Sequence, residues 1–308
     1  MTYHTPVLLN EVVDRLQPRR GGLFVDCTVG GGGHAREVLR ACAPDGQLIG
    51  LDWDEEAIAA SRERLGEFGA RVQLVRASYV ELERVLMSLG VTVVDGVVFD
   101  LGVSSRQFDE PGRGFSLQRA GPLDMRMSRQ LGATARDILR GASLEELARI
   151  FHVYGEVKRS RAIARKIVAQ REKSPLESTT ELTRLVEQVT GPKRGAIHPA
   201  TRVFQSLRIA VNDELDNLRR GLEVASRFLR SGARMAVISY HSLEDRMVKQ
   251  FFVEKSSGCI CPPDLPVCAC GRKETLRIVT KKPVECGKAE LAANPRARSA
   301  KLRVAEKI

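Results

Sequence analysis

Between residues 23 and 100 short apolar runs alternate with helix-forming stretches, and the first turn of that series is a run of four glycines. Leu23–Cys27 reads as a strand entering Thr28-Val-Gly-Gly-Gly-Gly-His34, and His34–Cys42 as the helix that leaves it. Gln47–Asp52, Arg71–Arg76 and Asp95–Asp100 read as further strands, with Asp54–Leu65 and Val80–Leu89 as the helices between them. Strand and helix alternating at this spacing predict an α/β fold, a parallel sheet with helices on both faces.

After Asp100 the alternation stops. Residues 101–135 carry repeated glycine and proline and read as loop. From Ser143 to Val189 the pattern is helical: Ser143-Leu-Glu-Glu146 has the form of a capping box, and Thr180–Val189 places apolar residues at helical spacing. The α/β pattern then resumes. A helix is predicted over Asp213–Leu229, a strand over Arg234–Ser239, a helix over Ser242–Val253, and strands over Leu276–Thr280 and Ala300–Ala305. The expected organisation is one α/β domain, residues 1–105 and 211–308, split by an all-helical insertion over residues 106–210. The second part carries a cysteine-rich loop at 259–270.

Charge is unevenly spread, and the insertion contains the first basic block. Residues 1–150 hold 18 basic and 21 acidic side chains, and residues 211–270 hold 8 of each. The excess sits in residues 151–210 (12 basic, 5 acidic) and 271–308 (11 basic, 4 acidic). Two basic blocks point to a polyanionic partner, nucleic acid first, where an even scatter would speak only of solubility. No apolar run approaches the length needed to span a bilayer, so no membrane partner is expected. Asn10, Glu11 and Asp14 interrupt any signal-peptide core at the start. The seven cysteines of the 308-residue chain therefore read as cytoplasmic thiols or metal ligands.

Glycines at a strand-to-helix turn let the backbone pass close to a ligand, and the helix start offers unpaired N–H groups. No Gly-Lys-Ser/Thr follows, which excludes a Walker A loop. Gly30-x-Gly32-x-x-Ala35 fits a dinucleotide fingerprint, and Asp52 lies about twenty residues beyond, where a carboxylate accepts from ribose hydroxyls. An adenosine-containing cofactor follows, either a nicotinamide dinucleotide or S-adenosylmethionine. Asp26, Asp52, Tyr79 and Asp100 at consecutive strand ends make an acid-lined cleft. Such walls suit a cationic sulfonium and repel a pyrophosphate.

Further runs sharpen this reading: Tyr3-His-Thr-Pro-Val-Leu-Leu-Asn-Glu11, Gly30–His34, Asp100-Leu-Gly-Val-Ser-Ser105, Arg113-Gly-Phe-Ser116, Gly121-Pro-Leu-Asp-Met-Arg126, Tyr154-Gly-Glu156, His198-Pro-Ala-Thr-Arg202, Ile238-Ser-Tyr-His-Ser-Leu-Glu-Asp-Arg246 and Asn294-Pro-Arg-Ala-Arg-Ser299. Together they resemble the bacterial 16S rRNA cytosine-N4 methyltransferases, the RsmH/MraW family, from the first residues to the last. The resemblance implies a class I, Rossmann-like methyltransferase sheet with an inserted helical domain. It also implies S-adenosylmethionine as donor and a cytidine of the decoding region of 16S rRNA, in the small ribosomal subunit, as acceptor. Carried over residue by residue, it implies cofactor contacts at Gly32, Gly33, His34, Asp52, Tyr79, Asp100 and Gln107.

Two features depart from what such enzymes share more widely. The Asp/Asn/Ser-Pro-Pro-aromatic motif of DNA amino-methyltransferases is replaced by Asp100-Leu-Gly-Val, without the prolines or the aromatic. The cysteines Cys259-Ile-Cys261 and Cys268-Ala-Cys270 do not transfer from the family as a required element. Four thiolates suit a structural zinc; a loop of reduced thiols shaped by Pro262, Pro263 and Pro266 is the alternative.

Methyl transfer to an exocyclic amine needs orientation and an acceptor oxygen near the N–H groups, and Asp100 is the candidate for that role. A base acted on by an enzyme must leave its stack. Phe115, Tyr240 and His241 are the aromatic candidates beside the motifs. Lys158, Arg161 and Arg165 at helical spacing, with His198 and Arg202, are candidates for the RNA backbone. A nicotinamide dehydrogenase would explain the glycines and Asp52 but not the basic insertion. A non-catalytic RNA-binding module would explain the charge but not the cleft.

Overall fold

In β1 (Leu23–Asp26), Phe24 and Val25 point to opposite faces and both are buried. A strand covered on both sides needs apolar residues at successive positions, and its neighbours repeat the pattern. β2 (Gln47–Asp52), β3 (Val72–Arg76), β4 (Val94–Asp100) and β5 (Leu229–Ser239) lie parallel to it. β6 (Leu276–Ile278) and β7 (Lys301–Lys307) complete a seven-stranded sheet in the order β3-β2-β1-β4-β5-β7-β6, with β7 antiparallel to both its neighbours. The computed structural model describes residues 6–130, 132–191, 198–259, 261 and 270–308.

Side chains on the sheet alternate between two cores. Val25, Ile49, Val97, Phe99 and Val237 enter one; Phe24, Leu48, Val98, Ala236 and Ile238 enter the other. The first is covered by the helices Leu82–Ser88, Glu214–Phe228 and Ser242–Ser256, the second by Leu9–Leu16 and Gly33–Ala41. The doubly wound arrangement expected from the sequence is therefore present, with the polar strand ends gathered along one edge.

The elements differ from expectation mainly at their ends. β5 begins at Leu229, five residues early. Its register against β4 shifts between the pairs Leu229–Val94 and Arg234–Gly96, and Gly232 takes a φ of 80° in the intervening bulge. The stretch after β3 opens as a short 3-10 turn, Tyr79–Glu81, because Ser78 caps it. The Ser78 hydroxyl accepts from Val80 N (3.3 Å) while the Glu81 carboxylate accepts from Ser78 N (3.1 Å).

Two compact units make up the chain: Met1–Gly102 with Leu215–Ile308, which contains the sheet, and Val103–Glu214. The second unit is helical, with Ala135–Gly141, Leu144–Val153, Ser160–Arg171, Thr179–Thr190 and Pro199–Asn212 packed through Phe151, Ile163, Ile167, Leu182, Val186 and Leu207. Thr134, Ser143 and Ser178 each cap a helix in a reciprocal box. The run over 121–127 is held by the buried Asn212. Its side-chain N–H group donates to Met125 O (2.8 Å) and its Oδ1 accepts from Met127 N (2.7 Å). Buried Arg113 donates to Met127 O (2.8 Å). None of the helices among the described residues is long and apolar enough to cross a membrane.

Candidate active site

The glycine turn after β1 is fixed from both sides by carboxylates and hydroxyls. Thr28 N donates to Asp26 Oδ1 (3.1 Å), and the Thr28 hydroxyl accepts from Asp100 N (2.6 Å), tying the ends of β1 and β4 together. Gly30 N donates to Asp52 Oδ2 (3.0 Å), and the Ser61 hydroxyl donates to Gly30 O (2.6 Å). Gly30 and Gly32 sit at φ 51° and 75°, conformations in which an L side chain is strained. At Gly33 the reason is different: an added Cβ would come within 2.1 Å of Pro6 Cγ. That glycine admits the packing of the chain's own N-terminal segment. Beyond the turn, the first-turn N–H groups of the helix Gly33–Ala41 lack intrahelical partners by geometry.

Asp52 does more than the sequence expectation assigned to it. Its Oδ1 also accepts from Asp54 N (2.9 Å), so each carboxylate oxygen already organises backbone and keeps a second lone pair for a hydroxyl. Burial pushes its carboxyl up to about 7 against the two amide hydrogen bonds, which favour the anion. Asp26 is pushed up to about 6, again by burial, with His34 and the Thr28 amide pulling the other way.

At the end of β4, Asp100 meets two side chains. The Tyr240 hydroxyl donates to its Oδ1 at 2.7 Å, and His34 Nδ1 lies 3.6 Å from Oδ2. His34 is only 5% exposed, and its Nε2 stands 2.9 Å from Val7 O. A carbonyl only accepts, so Nε2 carries a proton and Nδ1 faces the carboxylate. Burial raises the Asp100 carboxyl, opposed first by His34 and then by the Tyr240 hydrogen bond. The same burial, with Asp100 beside it, raises the Tyr240 phenol well above its usual range, so Tyr240 stays a donor. The Asp100 side chain keeps 25% of its surface exposed. It is an oriented acceptor open to a ligand.

The other residues singled out from sequence fall into three groups. Tyr79 follows β3, its ring edge-on to Phe99 (centroids 5.6 Å apart), where a Cβ on Gly221 would approach the Tyr79 ring to 2.7 Å. His241 caps the helix Ser242–Ser256, its Nδ1 accepting from Glu244 N (3.3 Å). Both belong to the sheet unit.

In the helical unit, Gln107 is buried and donates to Met127 O (3.2 Å), and Phe115 is buried too. His198 caps Pro199–Asn212, with its Nε2 2.9 Å from Glu187 Oε1. Arg202 is exposed and donates to Glu156 O (3.3 Å). Arg161 and Arg165 stand exposed one turn apart on Ser160–Arg171, whereas Lys158 precedes that helix, so the expected shared helical face holds for the two arginines alone. The third group is Cys259, Cys261 and Cys270, whose sulfurs lie within 4.8 Å of one another. Cys268, Pro262, Pro263 and Pro266 lie outside the described residues.

Sequence reasoning missed the ties of Thr28 and Tyr240 to the end of β4. Thr28 sits two residues past a strand-end aspartate, a spacing that signals the turn but not its partner.

A family model for the MraW methylase family matches residues 1–308. Ribosomal RNA small subunit methyltransferase H of Thermomicrobium roseum is 50% identical over 307 residues, covering 100% of this chain and 94% of that protein. The protein of the same name from Syntrophotalea carbinolica is 51% identical over 307 residues, covering 99% and 98%. That of Geobacter sulfurreducens is 51% identical over 313 residues and covers 100% of both. The seven-stranded sheet with its acid-lined edge, the match of the family model from end to end and relatives at half identity lead to one assignment: the chain belongs to the MraW methylase family.

Proposed function

We propose that this chain methylates, in the cytoplasm, the N4 amine of a cytidine in the decoding region of 16S rRNA, the RNA of the small ribosomal subunit, with S-adenosylmethionine as donor. The observation that carries the reading is Asp100: a carboxylate at the end of a central strand, held by a phenol hydrogen bond, with a histidine nitrogen 3.6 Å away, and one quarter exposed. When bound, S-adenosylmethionine supplies an electrophilic methyl on a positively charged sulfur. The residues present fit it. Asp26, Asp52 and Asp100 end three adjacent strands and favour a cation there, while Asp52 retains acceptor capacity for ribose hydroxyls. Gly32, Gly33, His34 and Tyr79 would complete its contacts in the sheet unit.

The acceptor amine is a poor nucleophile because its lone pair is conjugated into the ring. Asp100 accepting from its N–H localises that pair and stabilises the positive charge that develops on nitrogen. With the donor bound, its methyl would pass to nitrogen as the C–S bond breaks, and the surplus proton would leave nitrogen for the Asp100 carboxylate. Burial has already raised the basicity of that group. The Tyr240 hydroxyl keeps Oδ1 in place, leaving Oδ2 as the proton-accepting atom. The transfer itself calls for no metal, so a zinc on the cysteine loop would act on structure alone. Lys158, Arg161, Arg165, His198 and Arg202 of the helical unit and His241 of the sheet unit are the groups proposed to hold the RNA, and the names of the relatives favour that substrate.

Nucleoside mass mapping of 16S rRNA from cells with and without this protein tests the reading. Loss of one N4-methylated cytidine from the decoding region is expected. An unchanged cytidine, or loss of a methyl from adenine N6, overturns it.

A further inference from the structure

Cys259, Cys261 and Cys270 take no part in methyl transfer, yet the fold brings their sulfurs to within 4.8 Å of one another. The Cys259 and Cys270 sulfurs are 3.7 Å apart. Two thiolates bonded to one zinc at about 2.3 Å, at the tetrahedral angle, stand about 3.8 Å apart. Cys261 N donates to Cys259 Sγ (3.4 Å), an amide–sulfur bond of the kind that supports a metal-bound thiolate.

The segment that carries them leaves the helix Ser242–Ser256 and returns at β6. Its base is closed by Thr275 N donating to Lys255 O (2.9 Å) and by Ser257 Oγ donating to Val253 O (2.7 Å). Arg272 reaches Glu254 (3.5 Å) across the same base. The two limbs bearing Cys259 and Cys270 are thus held side by side before any ion binds, which lowers the ordering cost of binding one. Three thiolates around a divalent ion leave a net charge of −1, and exposed Arg272 and Lys273 lie just beyond Cys270, after Gly271.

We propose that Cys259, Cys261 and Cys270 form a thiolate site for a tetrahedral divalent metal of the zinc class. The ion clamps the loop at its neck and fixes the start of the basic block over residues 271–308. Soft sulfur donors select zinc over magnesium or calcium, which take oxygen. This site stands apart from the proposed methyl transfer, and its test does not read that activity.

The experiment uses the full-length, untagged chain purified under reducing conditions with zinc in the growth medium. Elemental analysis is expected to give about one zinc per chain. Exchange for cobalt is expected to give sulfur-to-metal charge-transfer bands and the strong visible bands of a tetrahedral ion. Cys259→Ser and Cys270→Ser should each lower zinc affinity at least tenfold in a chelator competition. Cys286→Ser, which lies outside the cluster, should leave it unchanged. Circular dichroism of the serine variants confirms that the sheet unit still folds. A chain that binds no stoichiometric zinc, a cobalt spectrum without thiolate bands, or full zinc retention in both serine variants overturns the proposal.

Discussion

Asp100 is positioned by contacts from opposite ends of the chain: His34 from the first helix of the sheet series and Tyr240 from the end of β5. If it accepts from the amine during transfer, removing its charge acts on the rate more than on the donor's affinity. Asp100→Asn is expected to cut the rate of labelled methyl transfer by about a hundredfold or more, with affinity for S-adenosylmethionine by calorimetry changed far less. Equal losses in both would make Asp100 a cofactor contact only. Tyr240→Phe isolates the hydrogen bond. The phenol stabilises the carboxylate, so its loss raises the Asp100 carboxyl further. The acid limb of the kcat/KM profile should then move to higher pH; an unmoved limb would show that this bond does not tune the reaction. The placement of Asp52 and Asp100 at strand ends was legible in sequence, because each closes an apolar run, and Asp52 also lies about twenty residues past the glycines. The partner of Asp100 was not, because Tyr240 is 140 residues away and only the sheet brings them together.

Among the elements, β2 over Gln47–Asp52 and the helix after Ser143 were read correctly in kind, whereas Ala135–Gly141 was not, because its reciprocal cap pairs Thr134 with Asp137 and not with the usual Glu or Gln. Of the other helices that escaped, two did so for identifiable reasons. Leu9–Leu16 starts after Leu8, which sits at φ 54° and offers no capping side chain. Pro199–Asn212 is capped by His198 through its Nδ1, and histidine lies outside the usual N-cap residues, although the proline that follows it is a helix-start signal. The helix Ser160–Arg171 carries the clearest element-scale prediction. Its exposed Arg161 and Arg165, one turn apart, suit a phosphate backbone, and Lys158 contributes from outside the helix. Replacing both arginines with alanine should weaken RNA binding and reduce the slope of log affinity against log salt by about one to two units. Cofactor affinity should stay as it was. A titration across salt concentrations that returns the original slope would move the RNA contact to the basic block at 271–308.

At the scale of the whole molecule, the sheet unit gathers carboxyls that resist ionisation. Asp26 and Asp52 hold protons up to about 6 and about 7 in the folded chain, whereas unfolded they release them near the usual carboxylate range. The folded state therefore binds more protons between about pH 4 and 7, and stability falls as pH rises through that window. The carboxyls that folding lowers, among them Asp124, Asp137 and Glu306, oppose the trend only at the acid end of the window, where their unfolded forms still bind protons; above about pH 5.5 they are ionised in both states and leave the fall intact. Thermal melts of the ligand-free chain should show this fall, and Asp52→Asn should flatten it; a rise in melting temperature from pH 5 to 7 would contradict the burial of these charges. The division of the chain also sets an order on its making. The pair β4–β5 joins Val94–Asp100 to Leu229–Ser239, so the entire helical unit is synthesised between the two halves of one ladder. That unit is continuous in sequence and can close while the rest of the chain is still unmade. The sheet cannot: until β5 arrives, β4 leaves the ribosome as an open edge at what will become the middle of the sheet, a surface on which another nascent strand can pair.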